Sequence, residues 1–408
     1  MRGTDKALRF ILDRFFCSDT NLIYDFLIDG GNAWHHLPRP SDIEKNCPNP
    51  CGWGTGMEDC VLNGGSVLDA LVSEYNLTKN MKLKELSDKI LDGMMLCATV
   101  SEDSGFVARG VSPFDKKSYY INSSRDQYTH WVYGAVRLFS SPLSDEAQKE
   151  DIKRIIVAIA EKCLRDVTPE NDYNMLRADG KIGMVNKMWG DIWPHEYLRL
   201  PMFYAAAYFV SGDGKWKALA DRYKFEALAK TKPFEPHKHS TYVILQLQYS
   251  LRLMYDLSEE EEYKKGCLKI MRSLSEFAEK KFDQCVERLR GLTLDFKYKK
   301  WNEVDWYDPG VEVGGFRYLN PAQSEKEENK SFYPLREVGE TACVAAICPE
   351  RRVREDIPET LGLVADSIDY ENHYTYAPLL LWCGDKLCRE NLGLRPAVAI
   401  KSVSDGNE

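Results

Sequence analysis

Apolar residues recur at intervals of three and four along several strongly charged segments of the chain. Ile152, Ile155, Ile156 and Ile159 form one such stripe, and a similar stripe runs through 263–277. This period matches one face of an α-helix. The segments are therefore predicted to be amphipathic helices with one face buried and one face in water.

Other segments are apolar on every side. The stretches 202–210, 341–347 and 374–383 carry no formal charge, and 128–139 carries one. A helix without a polar face is buried all round. Because such segments alternate with the amphipathic ones, the sequence predicts helical hairpins, each with an inner and an outer member.

The alternation predicts one all-α domain over residues 1–408, an (α/α)6 barrel or toroid of about six αα-hairpins. Aromatic and β-branched clusters predict a small β-hairpin insertion near 285–335. The run 245–253 alternates apolar and polar residues as a strand does, but its composition and length favour helix. The hairpins predicted are 61–76 with 82–101, 124–141 with 144–166, 195–211 with 214–230, 239–257 with 260–282, 336–348 with 357–369, and 373–389 with 4–16.

The lengths of the connections between the predicted helices indicate where a functional site lies. Links within hairpins are short, whereas the links between hairpins are mostly long and all emerge where the inner helices begin. Long loops on a rigid scaffold usually carry function. All seven histidines fall in or beside these entry segments: His35, His36, His130, His195, His237, His239 and His373.

Charge and composition exclude several classes of partner. A net charge of −9 argues against a nucleic-acid partner, and no apolar run is long enough to span a membrane. The first sixteen residues are amphipathic, which is not typical of a signal peptide, and we assign no compartment. The twelve cysteines are scattered without zinc-site spacing. We predict no metal and no cofactor, and we assign no oligomeric state.

Six helical hairpins with tryptophan, histidine and acidic residues at the inner-helix starts resemble the six-hairpin glycosidases and their relatives among the polysaccharide lyases. The resemblance covers most of the chain as architecture. The motifs GWGTGMEDC (52–60) and SSRDQYTHW (123–131) identify no subfamily. The resemblance implies a carbohydrate-active enzyme that takes an oligosaccharide or polysaccharide substrate, while fold alone does not fix the reaction.

Glycoside hydrolysis needs two carboxyl groups on either side of the scissile bond. Asp126 is the first catalytic candidate, because it lies at an inner-helix start beside Arg125, and His130, one turn further on, is predicted to be catalytic as well. Arg125 and the helix N-terminus favour an ionised carboxylate, which suits a base or nucleophile. The alternative is an acid that only stabilises the helix terminus.

The second carboxyl group is predicted at Glu58, with Asp59 beside it, in a glycine-flanked turn close to Trp53. An apolar wall there raises the pKa of a carboxyl group towards that of a general acid. The other acids considered are more often solvated or capping groups: Glu196, Asp191, Asp305, Asp308 and Glu340. The residues predicted to bind substrate are Arg125, Arg109, Trp53, Asp59, His195, Glu196, His237, His239, Trp306, Tyr307 and His373.

Two other functions stay open at this point. A lyase that removes the proton next to a uronate carboxylate needs a tyrosine or histidine base and an arginine that neutralises the carboxylate. Arg125, His130, Arg109 and Tyr128 fit that chemistry. The third possibility is a sugar-binding toroid that keeps the cleft without catalysis.

Overall fold

A computed structural model of the protein describes residues 3–26, 34–296, 299–321 and 331–394. Most of these residues are helical. In chain order the α-helices are α1 (Thr4–Arg14), α2 (Pro40–Glu44), α3 (Cys60–Thr78), α4 (Leu83–Thr99), α5 (Arg125–Phe139), α6 (Glu146–Asp166), α7 (Arg199–Ser211), α8 (Gly214–Thr231), α9 (Thr241–Leu257), α10 (Glu261–Leu289), α11 (Phe332–Ile347), α12 (Ile357–Asp366) and α13 (Ala377–Leu392).

The helices form two concentric layers. The odd-numbered helices from α3 to α13 each pack against the next, and α13 packs against α3, so the inner ring is closed. The even-numbered helices from α4 to α12, together with α1, pack on the outside of this ring. The predicted (α/α)6 toroid is confirmed. Because the inner helices touch neighbours on all sides, their sequences are apolar all round.

The strand-like alternation at 245–253 lies in α9, an inner helix. Its apolar residues and all its polar residues except the half-buried Arg252 are buried there. Gln248 donates through Nε2 to the carbonyl of Val344 (3.0 Å), and Gln246 accepts from Arg199. The polar residues therefore make buried hydrogen bonds between helices, and the helix prediction for this segment is correct.

Short strands occur only between and beside the helices in the described parts of the chain. The antiparallel pairs β4–β7 and β5–β6 confirm the predicted hairpin insertion, of which residues 322–330 lie outside the described residues. The strands are β1 (Phe16–Cys17), β2 (Leu22–Ile23), β3 (Leu294–Phe296), β4 (Trp306–Tyr307), β5 (Glu312–Val313), β6 (Phe316–Arg317), β7 (Asn320–Pro321) and β8 (Ile368–His373).

Several predicted boundaries are wrong: α7 begins at Arg199 rather than 195, and α11 at Phe332 rather than 336. Two further errors have a clear cause. The predicted helices 357–369 and 373–389 both overlap the segment Ile368–His373, which forms β8 and pairs in parallel with β3. The chain after α10 supplies this partner, and local periodicity carries no information about it. The other error is the end of α10, which runs to Leu289 rather than 282 because its apolar stripe continues through Cys285.

Two glycines let α3 and α5 approach closely within the inner ring. A Cβ atom at Gly65 would lie 2.3 Å from the backbone oxygen of His130, and one at Gly134 would lie 2.7 Å from the backbone oxygen of Gly65. Backbone therefore packs on backbone at this point, and neither position has room for a side chain.

Aromatic rings fill the axis of the barrel half-way along its length. Tyr133 of α5 stacks on Tyr249 of α9 with 3.9 Å between ring centroids, and His130 meets the edge of Tyr249 at 5.2 Å. The two ends of the ring are thereby separated. No helix among the described residues is long and apolar enough to cross a membrane.

The close approach of α3 and α5 predicts an unusual response to alanine. Gly65→Ala should destabilise the protein by roughly 1–3 kcal/mol. In most helix interiors the same substitution is stabilising, because alanine has a higher helix propensity than glycine. Gly214→Ala is the matched control, since a Cβ atom added at Gly214 would have no other atom within 4 Å. Urea unfolding followed by circular dichroism measures both. A Gly65→Ala variant as stable as the control contradicts the packing described.

Candidate active site

A cavity of about 450 Å³ opens at the end of the barrel where the inner helices begin. This is the end at which the long loops between hairpins emerge. The side chains around it come from the starts of α3, α5, α9, α11 and α13 and from the β4–β7 insertion. The polar and aromatic residues that line it include Trp53, Glu58, Asp59, Arg109, Ser124, Asp126, Tyr242, Tyr307, Asn320, Tyr333, Arg336 and Tyr376.

The buried carboxyl group of Asp25 fixes one corner of the cavity, and burial, with Asp59 and Glu58 nearby, raises its pKa well above the ordinary value. Asp25 accepts hydrogen bonds through Oδ2 from the backbone N–H groups of Glu58 and Asp59, both at 2.8 Å. Its Oδ1 accepts from Nδ2 of Asn63 at 3.0 Å. The first N–H groups of a helix lack partners within the helix. Asp25 therefore caps the entry to α3 from a distant segment and fixes the backbone that carries Glu58 and Asp59.

The loop before α3 bends tightly at glycines. Gly52 and Gly54 have φ values of 67° and 74°, which favour glycine. A Cβ atom at Gly54 would also lie 2.5 Å from the ring of Pro321 in β7. The side chain of Asn49 accepts from the backbone N–H groups of Cys51 and Trp53 at 3.0 and 3.2 Å. The glycines of GWGTGMEDC therefore allow the tight bend that directs Glu58 and Asp59 to this side of the cavity.

Gln127 joins this corner to α5. Its Oε1 accepts from the backbone N–H of Leu62 (3.2 Å), while its Nε2 donates to the carbonyl oxygen of Glu58 (3.0 Å) and to Oδ1 of Asp59 (3.1 Å). The same Oδ1 accepts from Nη2 of Arg109 at 3.2 Å. Asp59 is thereby held by an amide and a guanidinium. The residue before Gln127 is Asp126, so both carboxylate-bearing segments are fixed to each other.

Glu58 is the acid in the cavity that favours a proton. Burial raises the pKa of its carboxyl group to about 7, and the neighbouring Asp59 carboxylate acts in the same direction. Arg109, Arg336 and the Gly54 N–H, which donates to Oε1 at 3.1 Å, oppose this only in part. Among the described residues, Glu58 has no ion-pair partner. Near neutral pH its carboxyl group is therefore protonated in a large fraction of molecules.

Asp126 has the opposite environment. Burial would raise its pKa, but Arg199, Arg125, Arg109 and His130 together lower it below the ordinary value. Nη1 of Arg199 lies 3.1 Å from its Oδ1. Asp126 also occupies the first turn of α5, whose N-terminus favours negative charge. Its side chain remains 30% exposed towards the cavity, so an ionised carboxylate faces the substrate space.

Buried groups beneath Asp126 hold its cationic neighbours in place. Arg199 donates through Nη2 to Oε1 of Gln246 at 2.5 Å, and Nη2 of Arg125 lies 2.6 Å from Oε1 of Glu196. Nε2 of His195 lies 3.4 Å from the same Glu196 oxygen. Arg125, Glu196 and His195 thus form a buried cluster outside the cavity lining.

Arg336 supplies a second cationic wall. Its guanidinium lies over the rings of Tyr242 and Tyr376, 5.2 and 5.6 Å from their centroids. Its Nε donates to Oε1 of Glu340 at 2.6 Å, and the hydroxyl of Thr241 donates to the other oxygen of Glu340. Burial raises the pKa of Tyr242 to about 12, so its hydroxyl stays protonated at neutral pH.

The structure brings some of the predicted site residues together and places others elsewhere. Trp53, Glu58, Asp59, Arg109, Asp126 and Tyr307 line the cavity. The residues that it places outside the cavity lining are Arg125, His130, His195, Glu196, His237, His239, Trp306 and His373.

Two histidines show that a location near the start of an inner helix does not by itself identify a residue of the active site. His130 is buried in α5, where its Nδ1 lies 2.9 Å from the backbone oxygen of Asp126, and burial lowers its pKa to about 4. His373 is buried in β8 beside Phe10 and Phe296, and burial lowers its pKa to about 4 as well. Both rings are neutral at physiological pH and serve the packing of the barrel.

The four residues considered for a lyase do not converge on the cavity. Tyr128 is buried, and its hydroxyl accepts a hydrogen bond from the backbone N–H of Val107 at 3.4 Å. Burial raises its pKa. His130 and Arg125 also lie outside the lining, so Arg109 alone of the four faces the cavity.

Several lining residues were not predicted from the sequence, among them Tyr242, Arg336 and Tyr376. Each of these three lies within or directly before the first two turns of an inner helix. The positional argument that selected Asp126 applies to them equally. Among the residues that the structure describes, no three His, Cys, Asp or Glu side chains are grouped so as to hold a metal ion.

No family model and no curated protein matches the sequence. Solved structures with a similar fold include the glycoside hydrolase family 76 mannosidase of Bacteroides thetaiotaomicron, at 10% identity over 95% of this chain and 97% of that chain, with a TM-score of 0.52. A sugar epimerase from a ruminal bacterium (12% identity, 95% and 98% covered) has a TM-score of 0.45, and Rex8A of Paenibacillus barcinonensis (10%, 89% and 96%) has 0.43. At such identities, the likeness to the mannosidase establishes the (α/α)6 fold alone.

The pKa of Glu58 is raised and that of Asp126 is lowered, so neutral variants of these two residues should change the pH dependence of stability in opposite directions. The pKa of Glu58 rises from 4.5 to about 7 on folding, so wild-type stability falls as the pH rises through that window. Glu58→Gln should therefore gain stability relative to wild type over the same window. Urea unfolding at several pH values between about 4 and 8 measures this difference.

Asp126→Asn provides the contrast. The pKa of Asp126 is lower in the folded state than in the unfolded chain. The ionised carboxylate therefore stabilises the folded state above the unfolded pKa, and this stabilisation is lost as the pH falls through the folded pKa. This variant should be less stable than wild type at neutral pH, and the difference should shrink in acid. Parallel pH dependence for the two variants is inconsistent with the electrostatics described.

Proposed function

We propose that the protein is a glycoside hydrolase that acts on an oligosaccharide, with Glu58 as the general acid and Asp126 as the base or nucleophile. One observation carries the proposal: two carboxyl groups face one cavity, and their surroundings move their pKa values apart. Such a pair is what glycoside hydrolysis requires.

The roles follow from the protonation states. Protonated Glu58 gives its proton to the oxygen of the leaving sugar, so that this oxygen departs as a hydroxyl. Ionised Asp126 either takes a proton from the attacking water or attacks the anomeric carbon itself. In the second case water then releases the sugar from Asp126, with ionised Glu58 taking the proton of that water. Arg199 keeps Asp126 ionised before the reaction.

The remaining lining suits a sugar chain. Trp53 is packed against Tyr318 at 5.7 Å and offers an aromatic face at the cavity wall. Tyr307 is 51% exposed at the rim, on the inserted hairpin. Aromatic faces with polar groups between them are typical of carbohydrate sites. The solved mannosidase of similar fold supports including mannosides among the substrates to be tested.

The other two functions receive less support. A lyase needs a base near its substrate, but Tyr128 and His130 lie outside the cavity lining, and the pKa of Tyr242 is raised rather than lowered. A protein that only binds sugar has no requirement for two carboxyl groups with separated pKa values. Hydrolysis is the reaction that uses both.

Glu58→Gln should lower kcat/KM by about 10²–10⁴, because it removes the proton donor while keeping the side-chain shape. The assay measures reducing-end release from manno-, xylo- and uronate-containing oligosaccharides, with ultraviolet absorbance of unsaturated uronate recorded in parallel. Wild-type kcat/KM should fall as the pH rises through about 7, the pKa of Glu58. Glu58→Gln should lose that limb of the profile.

Glu235→Gln is the matched control, because Glu235 is an exposed acid at the same end of the barrel and lies outside the cavity lining. It should retain wild-type activity. Full activity in Glu58→Gln or in Asp126→Asn overturns the assignment. Ultraviolet absorbance with product release favours the lyase, and binding without turnover favours the non-catalytic toroid.

A further inference from the structure

The terminal nitrogens of Arg336 are open to the cavity of the candidate active site. Nε of Arg336 donates to Oε1 of Glu340 at 2.6 Å, and the guanidinium also lies over the rings of Tyr242 and Tyr376. Nη1 and Nη2 donate to no described residue, and the side chain, which is 15% exposed, lines the cavity. The guanidinium is therefore held in place at Nε, while its two terminal nitrogens are free to donate to a ligand.

The ion pair with Glu340 explains only part of this arrangement. A buried carboxylate needs a cation beside it, and Nε of Arg336 meets that need. The pair does not require two further nitrogens that are accessible from the cavity. Arg109, which also lines the cavity, differs in this respect, because its Nη2 is paired with Asp59 and its Nε is buried.

Asp59 offers a free acceptor to the same cavity. Its Oδ1 accepts from Nε2 of Gln127 and from Nη2 of Arg109, whereas no described residue donates to its Oδ2. The side chain is 18% exposed and lines the cavity. Its Oδ2 is not among the buried unpaired atoms, so a molecule in the cavity can reach it.

Asp59 and Arg336 influence each other without forming an ion pair. Burial would lower the pKa of Arg336, but nearby acids, Glu340 first and Asp59 at longer range, raise it well above the ordinary value. Among the described residues, the ion-pair partner of Asp59 is Arg109 and that of Arg336 is Glu340. A hydroxyl group between the two side chains can donate to Asp59 and accept from Arg336, whereas a carboxylate can only accept.

The charges around the cavity disfavour an acidic sugar. The arginines in or beside the lining already have carboxylate partners, and this holds for Arg109, Arg199 and Arg336. Glu58 adds a further acid, which is ionised in part near neutral pH because its pKa is about 7. A uronate would therefore bring a negative charge into a cavity that has no unpaired cation to balance it.

We propose that Asp59 and Arg336 together bind neighbouring hydroxyl groups of one neutral sugar ring, and that the substrate is an oligosaccharide of neutral sugars. Oδ2 of Asp59 accepts from one hydroxyl, and the terminal nitrogens of Arg336 donate to that oxygen and to the next one on the ring. Because Asp59 directly follows Glu58, this ring is one of the two joined by the scissile bond. This last assignment rests on the proposed function, whereas the binding of the ring does not.

Isothermal titration of the full chain carrying Glu58→Gln tests the proposal, because that substitution suppresses turnover. The neutral probes are mannotriose, xylotriose and cellotriose, and the acidic probe is trigalacturonate. At least one neutral probe should bind, with an affinity at least about tenfold above that of trigalacturonate. Arg336→Lys keeps a cation for Glu340 but replaces the two terminal nitrogens with one, so it should weaken binding of that neutral probe by about tenfold.

Asp59→Asn should change the affinities for the neutral and the acidic probe in opposite directions. It removes the free acceptor, so the neutral probe should bind about ten- to a hundredfold more weakly. It also removes a negative charge from the cavity wall, so trigalacturonate should bind more tightly than before. A general loss of structure would weaken the binding of both probes.

Arg252→Lys is the matched control. Nε of Arg252 also pairs with an acid four residues further on, Asp256, in another inner helix, and Arg252 lies outside the lining of this cavity. This variant should bind the neutral probe as its parent does.

Four results overturn the proposal: no neutral probe binds, trigalacturonate binds as tightly as the neutral probes, Asp59→Asn weakens both kinds of probe, or Arg252→Lys loses as much affinity as Arg336→Lys. A wild-type protein that binds a neutral probe but hydrolyses no oligosaccharide contradicts the proposed function and not the binding proposed for Asp59 and Arg336.

Discussion

The carboxyl group of Asp25 is the constraint on which the candidate active site depends. Two backbone N–H groups at the start of α3, those of Glu58 and Asp59, and the side-chain amide of Asn63 donate to it. The two backbone N–H groups have no acceptor within the helix itself. The position of Glu58 and Asp59 follows from this cap. Gln127 then fixes the same corner to α5, so the orientation of Asp126 relative to Glu58 is set by buried hydrogen bonds rather than by mobile surface groups.

The same geometry separates the two acids electrostatically. Asp126 lies above two arginines that are themselves anchored by Glu196 and Gln246, whereas Glu58 receives only a backbone N–H and the influence of more distant cations. Both side chains reach one cavity, so their different pKa values do not arise from different degrees of access. They arise from the partners that each helix N-terminus supplies. A scaffold of this kind can support acid and base chemistry side by side.

The inner ring has a further consequence along the barrel axis. The helices of the ring are close enough for α3 and α5 to meet at glycines, and for Tyr133 and Tyr249 to stack across the centre. This packing closes the axis and leaves a polar cavity at each end, the second of them lined by Asp69, Arg137, Arg252 and Glu390. The two cavities differ in kind: the one at the helix starts is enclosed by long loops, and the other is enclosed by the last turns of the helices.

Alternating apolar and amphipathic segments determined the helical hairpins, because the period of side chains along a helix is a local property that the chain itself records. The loop lengths likewise placed the site at the helix starts. The glycine-flanked turn indicated Glu58, and the position beside Arg125 at an inner-helix start indicated Asp126. The sequence could not show that residues 368–373 pair with 294–296, or that His130 and His373 are buried while Tyr242 and Arg336 face the cavity. Nor could it identify Asp25 as the cap of α3. These outcomes depend on which distant segments meet and which side of each helix faces the axis, and packing of the whole chain decides both.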